Sequence, residues 1–292
     1  MSGRIQVVVV GAASRDLAAD DPRGWRLGGA ATYCSLALAR LGLRVGCLLG
    51  VDSLAAEADE LSLLYDAGVD LRGVRLERGP VFENLEAGGH RRQRWLSKCD
   101  PVPAQALPGK WRGAAGWLLV PVAGDVGDDW AGVARTAVAS GARVGVGWQG
   151  LLREFDDDGW VRRVGPRSDA RVGLAGLVCA SVDDLPRETS LEELRRLAPH
   201  ATVVLTAGEG GGFAMRGEEL VHYGALPVGE VLDPTGAGDV FLAALMAAWI
   251  LTGELATAAT LRFAAAAAAC SVEGVGLAGI PTKTQVGVRL RR

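Results

Sequence analysis

Asp239 directly follows Gly236, Ala237 and Gly238, and an apolar run from Val240 to Leu251 comes after it. Glycine and alanine leave the backbone N–H groups of such a turn open, and the start of a helix gathers partial positive charge. The triplet is therefore a ready anion site. A carboxylate in the first helical turn can take a proton from a hydroxyl while those amides hold a transferring phosphoryl group. The same pattern also serves a plain helix start, with Asp239 as a favourable first-turn charge.

Other residues carry weaker signals. Asp16 lies shortly after the apolar run Val7 to Val10. A carboxylate near a strand's carboxyl end stands where α/β sheets bind ligands, although it also suits an ordinary turn. Gly28 and Gly29 allow a close approach of backbone to ligand, or simply turn the chain into a helix. The segment Thr206 to Gly211, TAGEGG, reads by itself as a hairpin turn. Asn84 can hydrogen-bond hydroxyls and Arg153 can pair with a carboxylate or phosphate, and both are also ordinary surface types. Gly145 to Gly150, GVGWQG, spells the dinucleotide-binding pattern, but it lies mid-chain and LLREFDDDG after it does not open a helix. The lysines are Lys98, Lys110 and Lys283, and none sits in a G-x-x-x-x-G-K-[ST] loop, so phosphates must be cradled without a Walker A motif.

The elements that must hold these residues alternate. QVVVVG at 6–11 and RVGCLLG at 44–50 read as buried strands, with a helix between them that Gly42 caps. Residues 54–67 suit another helix. Strands follow at 117–122, 143–148, 176–181 and 202–208, with helices near 128–140 and 190–198. A hairpin near 212–228 precedes two last helices, 239–251 and 254–271. This is an α/β pattern, and it predicts a doubly wound, mainly parallel sheet with helices on both faces. Residues 72–97 are polar and rich in Glu and Arg, and they read as an antiparallel hairpin outside the main sheet that pairs with residues 15–27. The expectation is one domain over 1–292 with a small β-lid from about 12–27 and 72–97.

Composition narrows the field. The chain has 292 residues, 49% hydrophobic and 22% charged, which is a globular balance. A net charge of −3 provides no basic stripe for nucleic acid, and Arg91–Arg94 and Arg289–Arg292 read as solvated faces. The five cysteines are scattered and the histidines isolated, which argues against a zinc site or a disulfide framework and suits a cytoplasmic protein. The apolar run at 240–251 is too short to span a bilayer, and the valines at 7–10 fit a buried strand rather than a signal peptide.

The whole string Asp233 to Phe241, DPTGAGDVF, resembles the second signature of the PfkB (ribokinase-like) carbohydrate kinase family. The likeness covers nearly the full length, with its other landmarks in order: VVVVGAASRD at the first strand, the Gly28–Gly29 step, and TAGEGG. It implies a ribokinase-like fold and ATP as phosphoryl donor. It also implies Asp239 as general base, with Gly236, Ala237 and Gly238 as the anion hole. Asp16, Gly28 and Gly29 would bind the acceptor, and Thr206, Gly208 and Gly211 would lie near the ATP phosphates. The family's N-x-x-E, tied to magnesium, appears here as Ser181 to Asp184, which implies Mg²⁺ organised by Asp184 through water. Asp233 and Thr235 lie where some relatives hold a monovalent cation. WQGLLREFDDDG and the segment with Phe82, Asn84, Cys99, Asp100 and Pro101 resemble the myo-inositol kinase branch, so Asn84 and Arg153 join the acceptor site and a cyclic polyol such as myo-inositol is the expected acceptor. Fructose, ribose and nucleosides are the alternatives within the family. A catalytically idle ligand-binding regulator is the alternative outside catalysis. The chain departs from the family pattern at Tyr33, where many members have Asn, at Trp148, where the branch has Asp, and at Ser181. Family resemblance also implies a homodimer through the lid.

Overall fold

The structure, a computed structural model, describes residues 3–87 and 90–291. The first half of the chain forms β1 (Val7–Ala12), β2 (Ser14–Leu17), β3 (Trp25–Gly28), α1 (Ala30–Arg40), β4 (Val45–Val51), α2 (Leu61–Asp66), β5 (Asp70–Arg75), β6 (Val81–Ala87), β7 (His90–Ser97), β8 (Gly116–Leu119), α3 (Asp129–Ala139) and β9 (Arg143–Gly147). The second half adds β10 (Arg153–Phe155), β11 (Val161–Arg163), α4 (Ala170–Leu174), β12 (Leu177–Ser181), α5 (Leu191–Leu197), β13 (Thr202–Thr206), β14 (Gly212–Arg216), β15 (Glu219–Tyr223), α6 (Ala237–Thr252), α7 (Ala258–Ser271) and α8 (Lys283–Arg289).

Nine strands make the main sheet, in the order β15-β14-β13-β12-β9-β8-β1-β4-β5. All pairs from β13 to β5 are parallel, and β14 and β15 close one edge antiparallel. The central strands are apolar along their whole length because both faces are covered. One face packs on α1, α6 and α7, and the other on α3, α4 and α5. The hairpin expected near 212–228 is β14 and β15. Among the described residues, no helix is long and apolar enough to cross a membrane.

Several boundaries differ from the sequence reading, two of them by more than end fraying. Residues 72–75 do not belong to a separate hairpin; they lie in β5, parallel to β4, because the β4–α2–β5 crossover completes a parallel unit. Their polarity reflects an edge strand that keeps much of its surface in solvent. The helix expected over 54–67 is split. Asp52 accepts from the Ala55 N–H at 2.8 Å and sets a short 3₁₀ turn at Ala55–Glu57, the chain extends at Ala58, and α2 begins only at Leu61.

A second sheet of four strands, β3-β2-β6-β7, stands apart from the first. Its β2 runs parallel to β6, with antiparallel partners on either side. Residues 88 and 89, inside the segment expected to form the lid, are outside the described residues, as is Arg292. The antiparallel pair β10–β11 leans on this sheet: Trp95 N–H donates to the Gly159 carbonyl at 2.7 Å, and the Trp95 and Phe155 rings meet at a centroid distance of 3.8 Å.

Asp125 fastens the carboxyl ends of β1 and β8. Its carboxylate is fully buried and accepts N–H bonds from Ala12 and Val122 at 2.7 Å and from Ala123 at 2.9 Å. Burial still holds its pKa above the ordinary carboxylate value. Asp125→Ala would leave three buried donors without a partner and should lower unfolding free energy by about 3 kcal/mol or more. Urea denaturation checks this, and a loss below about 1 kcal/mol would refute the brace.

Candidate active site

The site forms where the carboxyl ends of the parallel strands meet two helix N-termini. The chain leaves β1 for β2 and returns through β3 to Gly29, whose φ of 97° turns it into α1. Gly28 pairs with Ser14 across the β2–β3 ladder, and a Cβ at Gly28 would overlap the Asp16 carboxylate. Ser14 fixes that carboxylate further, donating its Oγ–H to Asp16 Oδ1 at 2.8 Å. The Gly-Gly step thus makes room for an acidic side chain as well as a turn.

The second helix start is α6. Gly236, at φ 76°, precedes its first residue, Ala237. The body of α6 is buried from Val240 to Ala248, so the sheet grips it and its N-terminus is held rigidly. Asp233 braces the turn, accepting from Thr235 N–H at 2.9 Å and from Gly276 N–H at 3.0 Å. Cys34 of α1 donates its Sγ–H to the Asp239 carbonyl at 3.4 Å and joins the two helix starts.

Asp239 stands in the first turn of α6. Burial pushes its carboxyl up to about 7, helped by Asp184 and Asp16 and opposed by the Arg153 guanidinium. Such a carboxyl is poised to exchange a proton near neutral pH.

A cavity of about 320 Å³ opens between the small sheet and the α6 turn. Asp16, Arg26, Tyr33, Asn84, Asp233 and Thr235 are among its walls. Tyr33 was read in the sequence only as a departure from a family pattern. It is 3% exposed, and its ring lies so closely over Gly236 that a Cβ there would overlap it. Burial, and then Asp233, Asp16 and Asp239, raise its phenol pKa well above the ordinary value. No local signal marks this residue, because the contact exists only once α1 and α6 have packed. Trp148, the second departure, is fully buried in the core on the α3–α5 face and takes no part in the cavity wall.

Asp184 follows β12 in a one-turn capping box. Ser181 Oγ accepts from Asp183 N–H at 3.1 Å, and Asp184 Oδ2 accepts from Ser181 N–H at 3.3 Å. This explains the Ser181 departure: a hydroxyl suffices to cap the turn. Asp184 Oδ1 also pairs with Arg153 at 2.8 Å. Arg153 is not among the described residues that line the cavity; its other terminal nitrogen donates to Gln93 Oε1 of β7 at 2.9 Å. Gln93, which sequence reasoning missed, in turn donates to Asn84 Oδ1 at 3.0 Å.

Thr206 ends β13 level with Ser181 on β12, and Ser181 Oγ–H lies 3.4 Å from the Thr206 carbonyl. Gly208 and Gly211, both at positive φ, form the tight turn into β14. Among the described residues, no group of three or more His, Cys, Asp or Glu could hold a metal ion. Asp184 alone, with both oxygens already accepting, suits a hydrated Mg²⁺ held mainly by a ligand's phosphates.

Residues 173–284 match the model of the pfkB family carbohydrate kinases. Over 209 residues the chain is 35% identical to inositol 3-kinase of Zea mays, an alignment that covers 69% of this chain and 51% of the maize protein. The chain thus spans about half the length of that curated relative. A putative ribokinase II from E. coli, in complex with ATP and Mg²⁺, superposes with a TM-score of 0.73 at 17% identity and covers 99% of each chain. A pyrophosphate-dependent kinase in the ribokinase family, complexed with a pyrophosphate analogue and myo-inositol, gives 0.73 at 17% identity, covering 97% of this chain and 99% of that one. These two likenesses establish the fold as ribokinase-like.

Gly236→Ala should disturb the α6 turn twice over, through its positive φ and through the Tyr33 ring. The expected result is a loss of about 1–3 kcal/mol in stability, with a weaker melting shift on adding nucleotide. Wild-type stability and an unchanged nucleotide shift would contradict this account of the turn.

Proposed function

The chain belongs to the pfkB family of carbohydrate kinases, and on that footing we propose that it transfers the γ-phosphoryl group of ATP to a hydroxyl of a cyclic polyol, with myo-inositol the favoured acceptor. The observation that carries this reading is Asp239: a half-buried carboxyl whose desolvation raises it to about 7, at the start of α6 and close enough to Asp16 of the cavity to feel its charge.

The acceptor would lie in the 320 Å³ cavity with its hydroxyls on Asp16 and Asn84. Tyr33 would form an apolar wall for the C–H face of its ring. As the acceptor oxygen forms its bond to the γ-phosphorus, Asp239 takes the hydroxyl proton and the bond to the β–γ bridging oxygen breaks, releasing ADP. The amides of Gly236, Ala237 and Gly238 would hold the phosphoryl oxygens in transit. The donor phosphates would run towards Thr206, Gly208 and Gly211. Asp184 would hold a hydrated Mg²⁺ through its water shell, and that ion would supply charge neutralisation for the donor. The small sheet would act as a lid that excludes water from the cavity. The edge of β7 is partly covered by the chain's own Gly159, so a second copy pairing through the lid would meet the β3 edge. The resemblance in sequence to a maize inositol 3-kinase supports the acceptor.

Asp239→Asn should lower turnover by roughly 10²- to 10⁴-fold with little change in melting temperature. The base works as the carboxylate, so kcat/KM should rise as pH rises through about 7 and then level off. ADP release measured over myo-inositol, other inositols, ribose, fructose and nucleosides, with ATP or pyrophosphate as donor, tests acceptor and donor together. Near-full activity in Asp239→Asn would remove the assignment of the base, and no turnover on any pair would remove the kinase reading.

A further inference from the structure

One set of contacts has no place in the chemistry just described. Asn84 on β6 lines the cavity, and Asp184 stands in the turn after β12, where the reading above puts the donor's metal. Between them runs an unbroken polar line. Gln93 Nε2–H donates to Asn84 Oδ1 at 3.0 Å, Arg153 donates to Gln93 Oε1 at 2.9 Å, and Arg153 Nη2 reaches Asp184 Oδ1 at 2.8 Å. The line continues to the backbone, because Asp184 Oδ2 accepts from Ser181 N–H at 3.3 Å. Gln93 uses both ends of one amide, so its two bonds are made in a single orientation. The Arg153 and Asp184 side chains are 15% and 8% exposed, so solvent screens their pair only weakly.

Each link also crosses a structural boundary. Asn84 and Gln93 belong to the small sheet, Arg153 opens the β10–β11 hairpin, and Asp184 belongs to the main sheet's carboxyl edge. Trp95 against Phe155, and Trp95 N–H on Gly159, hold the hairpin to the small sheet on the same strand as Gln93. Ordering Asn84 by an acceptor therefore orders Gln93 and Arg153, and Arg153 fixes the carboxylate that meets the donor's metal.

We propose that Gln93 and Arg153 are positioning residues that couple the acceptor pocket to the donor site, so that each substrate strengthens the binding of the other. The proposal rests on the kinase reading above. Coupling of this kind is reciprocal: the donor tightens the acceptor by the factor with which the acceptor tightens the donor. A line of hydrogen bonds that only stabilised the fold would leave that factor untouched.

Titration calorimetry reads the factor directly. The probes are the acceptor on which the wild-type enzyme turns over and Mg²⁺ with a non-hydrolysable ATP analogue, each titrated with and without the other. Wild-type protein should show a synergy of roughly tenfold. Gln93→Met keeps the length of the side chain and removes both bonds; it should bring the factor to within about twofold of one while either ligand alone binds nearly as before. Gln93→Glu keeps an acceptor for Arg153 and loses the donor to Asn84, so it should also lose most of the synergy, and it serves if the methionine variant folds poorly. Circular dichroism and melting temperature report folding separately. Equal synergy in wild type and either folded variant would overturn the proposal, as would a wild-type enzyme that turns over but binds its substrates independently. The kinase reading fails by a different result, the absence of turnover on every donor and acceptor pair.

Discussion

Burying a helix that is apolar all round dictates where its charged end must go. Helix α6 has no polar face to offer solvent, so the main sheet, α1 and α7 enclose it. That enclosure delivers its first turn, with Asp239, to the carboxyl edge of the sheet. Desolvation there costs an ionised carboxylate several kcal/mol in the absence of compensation, and the nearby Arg153 guanidinium offsets part of that cost. The elevated pKa of Asp239 is thus a direct product of the packing that holds the helix.

The small sheet follows a different logic. Two of its strands, β2 and β3, have only four residues each and its polar residues are numerous, so it depends on links to the body. Arg15 of β2 pairs with buried Asp52 at 2.9 Å, and Glu60 next to α2 accepts from Leu27 N–H at 3.2 Å and pairs with Arg23. On the far side the β10–β11 hairpin supplies Gly159, Phe155 and Arg153. A sheet anchored at both margins can shift as a unit over the cavity without losing its internal register.

Much of this was legible in the residues. The alternation of apolar strands and helices gave the sheet and its two covered faces, because parallel strands and crossover helices carry their signals locally. The string GAGD marked the site for the same reason: its meaning lies in adjacent residues. Asp16 and Asn84, singled out in the sequence, line the cavity, and Asp239 stands at the start of α6. What could not be read depends on distant partners. Polar β5 looked like lid because an edge strand and a solvent-facing hairpin share a composition. Arg153, read as a partner for a carboxylate or phosphate, pairs with the Asp184 carboxylate and with Gln93, 31 and 60 residues away. Ser181 stood out as a departure from the N-x-x-E pattern, although S-x-x-D is also the signature of a capped turn, and the structure uses it so.

The contact between Tyr33 and Gly236 has a bearing on how such a site can change over generations. The aromatic ring occupies the volume that any side chain at 236 would need, and the two residues stand 203 positions apart in the chain. A larger residue at 236 meets two obstacles, the positive φ of 76° and the ring, and a small residue at 33 removes only the second. Substitutions at the two positions are therefore coupled: any side chain at 236 needs both the room that the ring now fills and a new backbone path through the turn.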